Sequence, residues 1–296
     1  MNTNRRHSKR EAKSRISSTL FLIPSLVGVL IFFVIPFIIV IYYSLVDNPI
    51  NHEFVGLSNY ARLFRNLAFR AAAKNTITFS ITAVPLAVVL SMVLAVVLDL
   101  KIPCKSQLRT FFLSPMMVPT ASIVLVWNVL FHNNGTVNSI IDHFGGARVD
   151  WLNSQYAQIV IVLLFLWKNL GYNMILFMAA LASVPDSLVE AAALEGLSGW
   201  KMFWNIKFRF MTSTFLFVTI MSLVNSFKVF REVYLLKGDY PYETMYMLQH
   251  FMNNTFKSLD YQKMSSAAIV MAAVLTIIIG ILFVTENRLG RDFEDE

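Results

Sequence analysis

Six stretches of the chain are almost continuously apolar, at 18–43, 75–98, 110–131, 156–183, 211–230 and 264–285, and the segments between them are polar. A helix needs about 20 apolar residues to cross ~30 Å of hydrocarbon, where each backbone amide must be satisfied within its own segment. The pattern therefore predicts an all-α integral membrane protein with six transmembrane helices embedded in a lipid bilayer. Pro24, Pro36, Pro85, Pro115 and Pro119 fall within these spans; each removes a backbone donor and predicts a local kink. No repeat of fixed period and no low-complexity linker divides the chain.

The polar segments give the orientation. Lys and Arg are about twice as dense in 1–17, 101–109, 184–210 and 286–296 as in 47–74, 132–155 and 228–263. The expected organisation is a basic cytoplasmic segment at 1–17, a membrane domain over 18–285 with a large cytoplasmic loop at 184–210, and a cytoplasmic tail at 286–296. Both termini then lie inside. The first apolar run has no small-residue cleavage pattern, which predicts a retained helix rather than a removed signal.

Composition excludes several classes. With 56% hydrophobic and 15% charged residues, the chain has too few charges to wet a soluble domain of 296 residues. Its net charge of +7 reflects the inner loops, and no basic run interleaved with aromatics points to a nucleic-acid partner. Cys104 is the single cysteine, so no internal disulfide and no cysteine-based metal site is expected. His7, His52, His132, His143 and His250 show no metal-ligand spacing. No phosphate-cradling Gly-x-x-x-x-Gly-Lys-Ser/Thr loop occurs, so no cofactor is expected, and ATP, if used, must be held by another polypeptide.

The 184–210 loop carries the most specific signal. Pro185 ends the incoming helix, Ser187 and Glu190 have capping-box spacing, Ala191, Ala192 and Ala193 favour helix, and Gly196 can stop it. A short helix, a turn and a second helix across the cytoplasmic face follow. Glu190-Ala191-Ala192, then Gly196 and Ile206 at the matching spacing, resemble the EAA loop of binding-protein-dependent ABC permeases, with Glu195 just before the glycine in the same loop. Leu20 to Pro24, Val55 to Tyr60, Trp151-Leu152, Trp167 with Gly171 and Tyr172, Phe227 to Phe230 and Val233 to Leu236 are similar to the carbohydrate-uptake group of that family. The chain departs from the family pattern at Glu195, Phe208, Arg209, Arg231 and the Gly238-Asp239-Tyr240-Pro241 segment.

The resemblance implies a type I ABC-importer permease fold with a cytoplasmic coupling helix, and a transport subunit that is not itself an enzyme. It implies a second homologous permease as heterodimer partner, two cytoplasmic ATP-binding subunits, an extracytoplasmic solute-binding protein and a sugar substrate. Sugars are held by aromatic faces and by amide and hydroxyl hydrogen bonds. Trp167, Lys168, Asn169, Tyr172 and Asn173 of the fourth span, with Asn225 and Ser226 of the fifth, are the candidate pathway residues. A charge as deep as Lys168 must face the bundle interior or be held by packing. Trp127 and Asn128 could also line the path, although a tryptophan near the membrane interface is more often an anchor. The competing reading is a secondary transporter driven by an ion gradient. It requires buried acids, and the six spans as drawn contain no Asp or Glu in their interiors.

Overall fold

In the computed structural model, which describes residues 22–100 and 102–291, the apolar stretches are helical. The basic segment 1–17, the start of the first expected span, Lys101 and the last residues of the tail lie outside the described residues. In chain order the helices are α1 (Leu22–Leu45), α2 (Ser58–Arg65), α3 (Leu67–Asp99), α4 (Lys105–Met117), α5 (Thr120–Leu130), α6 (Thr136–His143) and α7 (Ala157–Leu181). They continue with α8 (Asp186–Leu194), α9 (Gly199–Met202), α10 (Phe208–Lys228), α11 (Phe230–Lys237), α12 (Leu248–Lys257) and α13 (Tyr261–Arg291). The one β pairing among the described residues is an isolated bridge between Val46 and Phe54.

The described residues fall into two compact units, one of residues up to Arg65 with Thr255–Ala272, the other of Asn66–Asn254 with residues from Ala273 onward. In the smaller unit, α1 is apolar on every face, with none of its most apolar window buried inside the protein, as suits a helix in contact with lipid. A π-helical turn at Leu30–Val34 leads into Pro36, whose missing N–H and bulky ring are accommodated by the widened turn. The stretch 55–60 ties down the end of this helix. Gly56 turns the chain at φ +53°, and the Asn59 side-chain amide donates to the carbonyls of Ser44 at 2.9 Å and Val46 at 2.8 Å. The Tyr60 hydroxyl donates to Ser44 Oγ at 2.7 Å, which donates in turn to the Ile41 carbonyl.

In the larger unit, α3 and α7 pack along each other, with α10 against both. Within a membrane this association rests on close packing more than on exclusion of water, and small residues allow it. Ala83, Ala87, Ala95 and Ala157 are fully buried at these contacts, interleaved with Phe79, Ile161, Leu164 and Phe177. Pro85 lies inside α3, which runs on to Asp99 regardless.

The expected third span at 110–131 is instead two helices, α4 and α5, that meet at 102°. Proline disfavours helical conformation in the residue before it, and Val118, preceding Pro119, is extended at φ −83° and ψ 131°. The expected fifth span is also longer and interrupted. Apolar helix runs from Gly199 to Lys237, with a π turn at Phe203–Lys207 and a break at Val229. Counting the bent pair as one, the described residues hold up to six spans.

Candidate solute cavity and surface helix

The break at Val229 opens a cavity of about 610 Å³ between α7, α10 and α11, with Met116 of α4 and Gln249 of α12 also on its wall. Lys168, near the middle of α7, forms an ion pair with Glu232 of α11. Glu232 is almost fully buried, while the lysine is about one-third exposed toward the cavity. One turn of α10 away, Asn225 donates to the side-chain oxygen of Asn169 at 3.1 Å, and Asn169 donates to the Phe165 carbonyl at 2.8 Å. Tyr172 lies on the same wall.

Four of the seven pathway candidates thus line one cavity: Lys168, Asn169, Tyr172 and Asn225. The other three lie elsewhere. Trp167 turns to the other side of α7 and tilts against Trp127, whose ring stacks on Phe131 at 5.1 Å. Trp127 is buried in the core. Asn173 is buried and donates to Ser222 Oγ at 2.9 Å, and Ser226 is buried with its Oγ 2.9 Å from Ser80 Oγ. These last two are interhelical hydrogen bonds, the kind that hold membrane helices together.

Sequence reasoning missed Lys228, Arg231 and Glu232 as cavity residues. The expected fifth span stops at residue 230, two positions short of this acid. The spans as drawn hold no acid, but the apolar helix runs on to Lys237, and Glu232 within that extension is buried. A signal was available, because a lysine in mid-span requires a partner and few acids border the spans.

Gly171 fixes the wall behind the cavity. A Cβ there would lie 1.9 Å from the Phe112 carbonyl oxygen, so α4 approaches α7 backbone to backbone at this turn. Near the cavity, His250 of α12 is fully buried. Its Nδ1 accepts from the Met247 N–H at 3.2 Å and its ring meets the edge of Phe230 at 4.6 Å, while Nε2 has no partner. Burial lowers its pKa from 6.5 to about 4, outweighing the nearby Asp239 carboxylate.

The second element is α8, which links the region after α7 to α9. It begins at Asp186 with Pro185 as N-cap, and no side chain caps it. The expected Ser187–Glu190 capping box is absent because both residues lie inside the helix. Asp186, not Glu190, occupies the first turn, where a carboxylate suits the helix dipole. The stop is as expected. Gly196 takes φ +75°, its N–H bonds the Ala193 carbonyl at 3.1 Å, and the Leu197 N–H reaches back to Ala192 at 3.0 Å, the paired bonds of a Schellman motif. Of the nine residues only Ala192 is buried; Glu190, Ala191 and Glu195 are exposed, and Leu194 is 90% exposed. Ile206 lies half-buried in the π turn that follows α9.

A bundle of apolar helices around a cavity lined by charged and amide side chains, with a short exposed helix following α7, fits a membrane transport protein. The chain belongs to the family described as the inner membrane component of binding-protein-dependent transport systems, whose profile matches residues 88–289. A probable starch degradation products transport system permease of Thermoanaerobacterium thermosulfurigenes is 29% identical over 93% of this chain and 96% of its own length. The trehalose/maltose transport system permease of Thermococcus litoralis is 27% identical over 96% of each. In fold, the chain matches a solved bacterial ABC transporter involved in import of the acidic polysaccharide alginate, with TM-score 0.84 and 21% identity over 95% of this chain and 99% of that one.

Proposed function

We propose that this chain is the permease subunit of an ATP-driven importer for a sugar or sugar-like solute, and that α8 is its contact with a separate ATPase. The observation that carries the reading is α8 itself. Nine helical residues with one buried side chain and a 90% exposed leucine form a surface suited to burial against a partner. Glu190, Ala191, Ala192, Glu195 and Gly196 form that contact and Ile206 supports it from the neighbouring turn. The sugar-transport names of the relatives support the solute class.

In this reading Lys168, Asn169, Tyr172 and Asn225 border the solute path, while Trp167, Asn173 and Ser226 hold the helices that form it. A second homologous permease completes the path, two ATP-binding subunits sit on the cytoplasmic side, and an extracytoplasmic binding protein delivers the solute. Both termini are cytoplasmic, with 1–17 and 286–296 flanking the membrane domain 18–285. Closure of the ATPase pair moves α8 and switches the cavity between inward and outward access. The permease makes and breaks no covalent bond.

The test is co-purification of the tagged chain with its neighbouring gene products, followed by ATPase measurement in lipid vesicles, comparing the parent with Gly196→Pro and Glu190→Lys. The expected result is a nucleotide-binding subunit that stays with the parent and is lost or uncoupled in both variants. A chain that purifies alone and moves solute on an ion gradient, indifferent to both changes, overturns the reading.

A further inference from the structure

The cavity wall carries three cations and one acid. Lys168 is matched by Glu232, which leaves Lys228 and Arg231 unmatched. Neither has an acidic partner within 4 Å among the described residues, and both are exposed. The neutral part of the wall, Asn169, Asn225 and the Tyr172 ring, offers hydrogen bonds and an aromatic face. Two unbalanced positive charges in a recess with low-dielectric walls produce a field that concentrates anions. A guanidinium also presents a fork that matches a carboxylate or a phosphate.

The geometry points to a sugar bearing an acidic group, carboxylate or phosphate, as the solute this cavity takes. The inference rests on the reading of the cavity as the solute path. The ring lies against Tyr172 and the two asparagines, and the acid lies toward Lys228 and Arg231. The Lys168–Glu232 pair does not contribute to the excess charge; it holds α7 and α11 together behind the site.

Thiol labelling separates the inference from the reading beneath it. In the full chain, co-expressed with its partner subunits in membrane vesicles, Cys104→Ser removes the native thiol and Met221→Cys places one on the cavity wall. Labelling rates are measured with methanethiosulfonates carrying a sulfonate, a trimethylammonium or no charge, each scaled to its rate on a free thiol in solution. The expected sulfonate-to-ammonium ratio is about ten or more, falling toward one in Lys228→Gln/Arg231→Gln while the neutral reagent reacts as before. A ratio of one or less in the parent overturns the inference. If even the neutral reagent fails to reach the thiol, the cavity is not a solute path and the underlying reading falls instead.

Protection identifies the acid. Trigalacturonate or glucose 6-phosphate should slow the neutral reagent at least severalfold more than maltotriose does, and whichever acts names the group recognised. Equal protection by maltotriose, or protection by neither acid, overturns the inference.

Discussion

Around Lys168, polar groups are matched across helices, lysine to glutamate and asparagine to asparagine at the cavity wall, and Asn173 to Ser222 and Ser80 to Ser226 in the buried interior. In α8, one side chain of nine is buried and none makes a cap. Each region holds a glycine, for opposite reasons. Gly171 is required by space, since a Cβ would collide with the backbone of α4; Gly196 has nothing within 4 Å and is required by its dihedral angle. The interior is therefore specified by what each residue touches, and the surface helix by its backbone. Substitutions in the first region should act on folding and those in the second on partnership.

Replacing Glu232 with Gln gives the largest expected effect on folding. It leaves the Lys168 ammonium without its carboxylate, and because that lysine is about one-third exposed to the cavity and can be hydrated there, the cost lies toward the lower end of the about 3–5 kcal/mol of a fully buried pair. Thermal unfolding in detergent should show a clear drop, largely recovered by Lys168→Met/Glu232→Leu. A single variant as stable as the double would mean the pair is not structural.

Acid should act next. His250 is neutral in the folded protein down to about pH 4, whereas an unfolded chain binds its proton from about 6.5 downward. The stability it contributes is complete above pH 6.5 and is lost as the pH falls toward 4, a change of about 3 kcal/mol. Unfolding midpoints measured across that window should decline in the parent and decline less in His250→Phe.

Gly171→Ala comes third, at about 1–3 kcal/mol for forcing α4 away from α7. A midpoint unchanged from the parent would show that the close approach is easily relieved. Leu194→Ser is the smallest, within about 0.5 kcal/mol on the same assay, yet it should reduce recovery of the ATP-binding subunit in co-purification. A full complement of that subunit would remove α8 from the interface.

The apolar spans were legible because lipid imposes a length and a composition that few segments satisfy. The bend at Val118 was only half legible. Five prolines marked candidate kinks, but the chain runs helically through Pro85 and breaks before Pro119, and the choice depends on packing that no local pattern records. Gly196 was legible because its requirement is local to the backbone. The capping box was misread for a related reason: Ser187 and Glu190 had the spacing, but Pro185 started the helix two residues earlier. Glu232 was missed because its role is defined by Lys168, 64 positions away in sequence.

The stop of α8 is made entirely by main-chain atoms, two carbonyls and two amides closed by one positive dihedral. No side chain on the outward surface is committed to holding that shape. Glu190, Ala191, Leu194 and Glu195 can therefore drift through successive substitutions while the angle at which the helix is presented stays fixed. If α8 docks a separate ATPase as proposed, a lineage carrying this element can change the partner it fits by rewriting a few surface letters, without re-evolving the membrane bundle behind it.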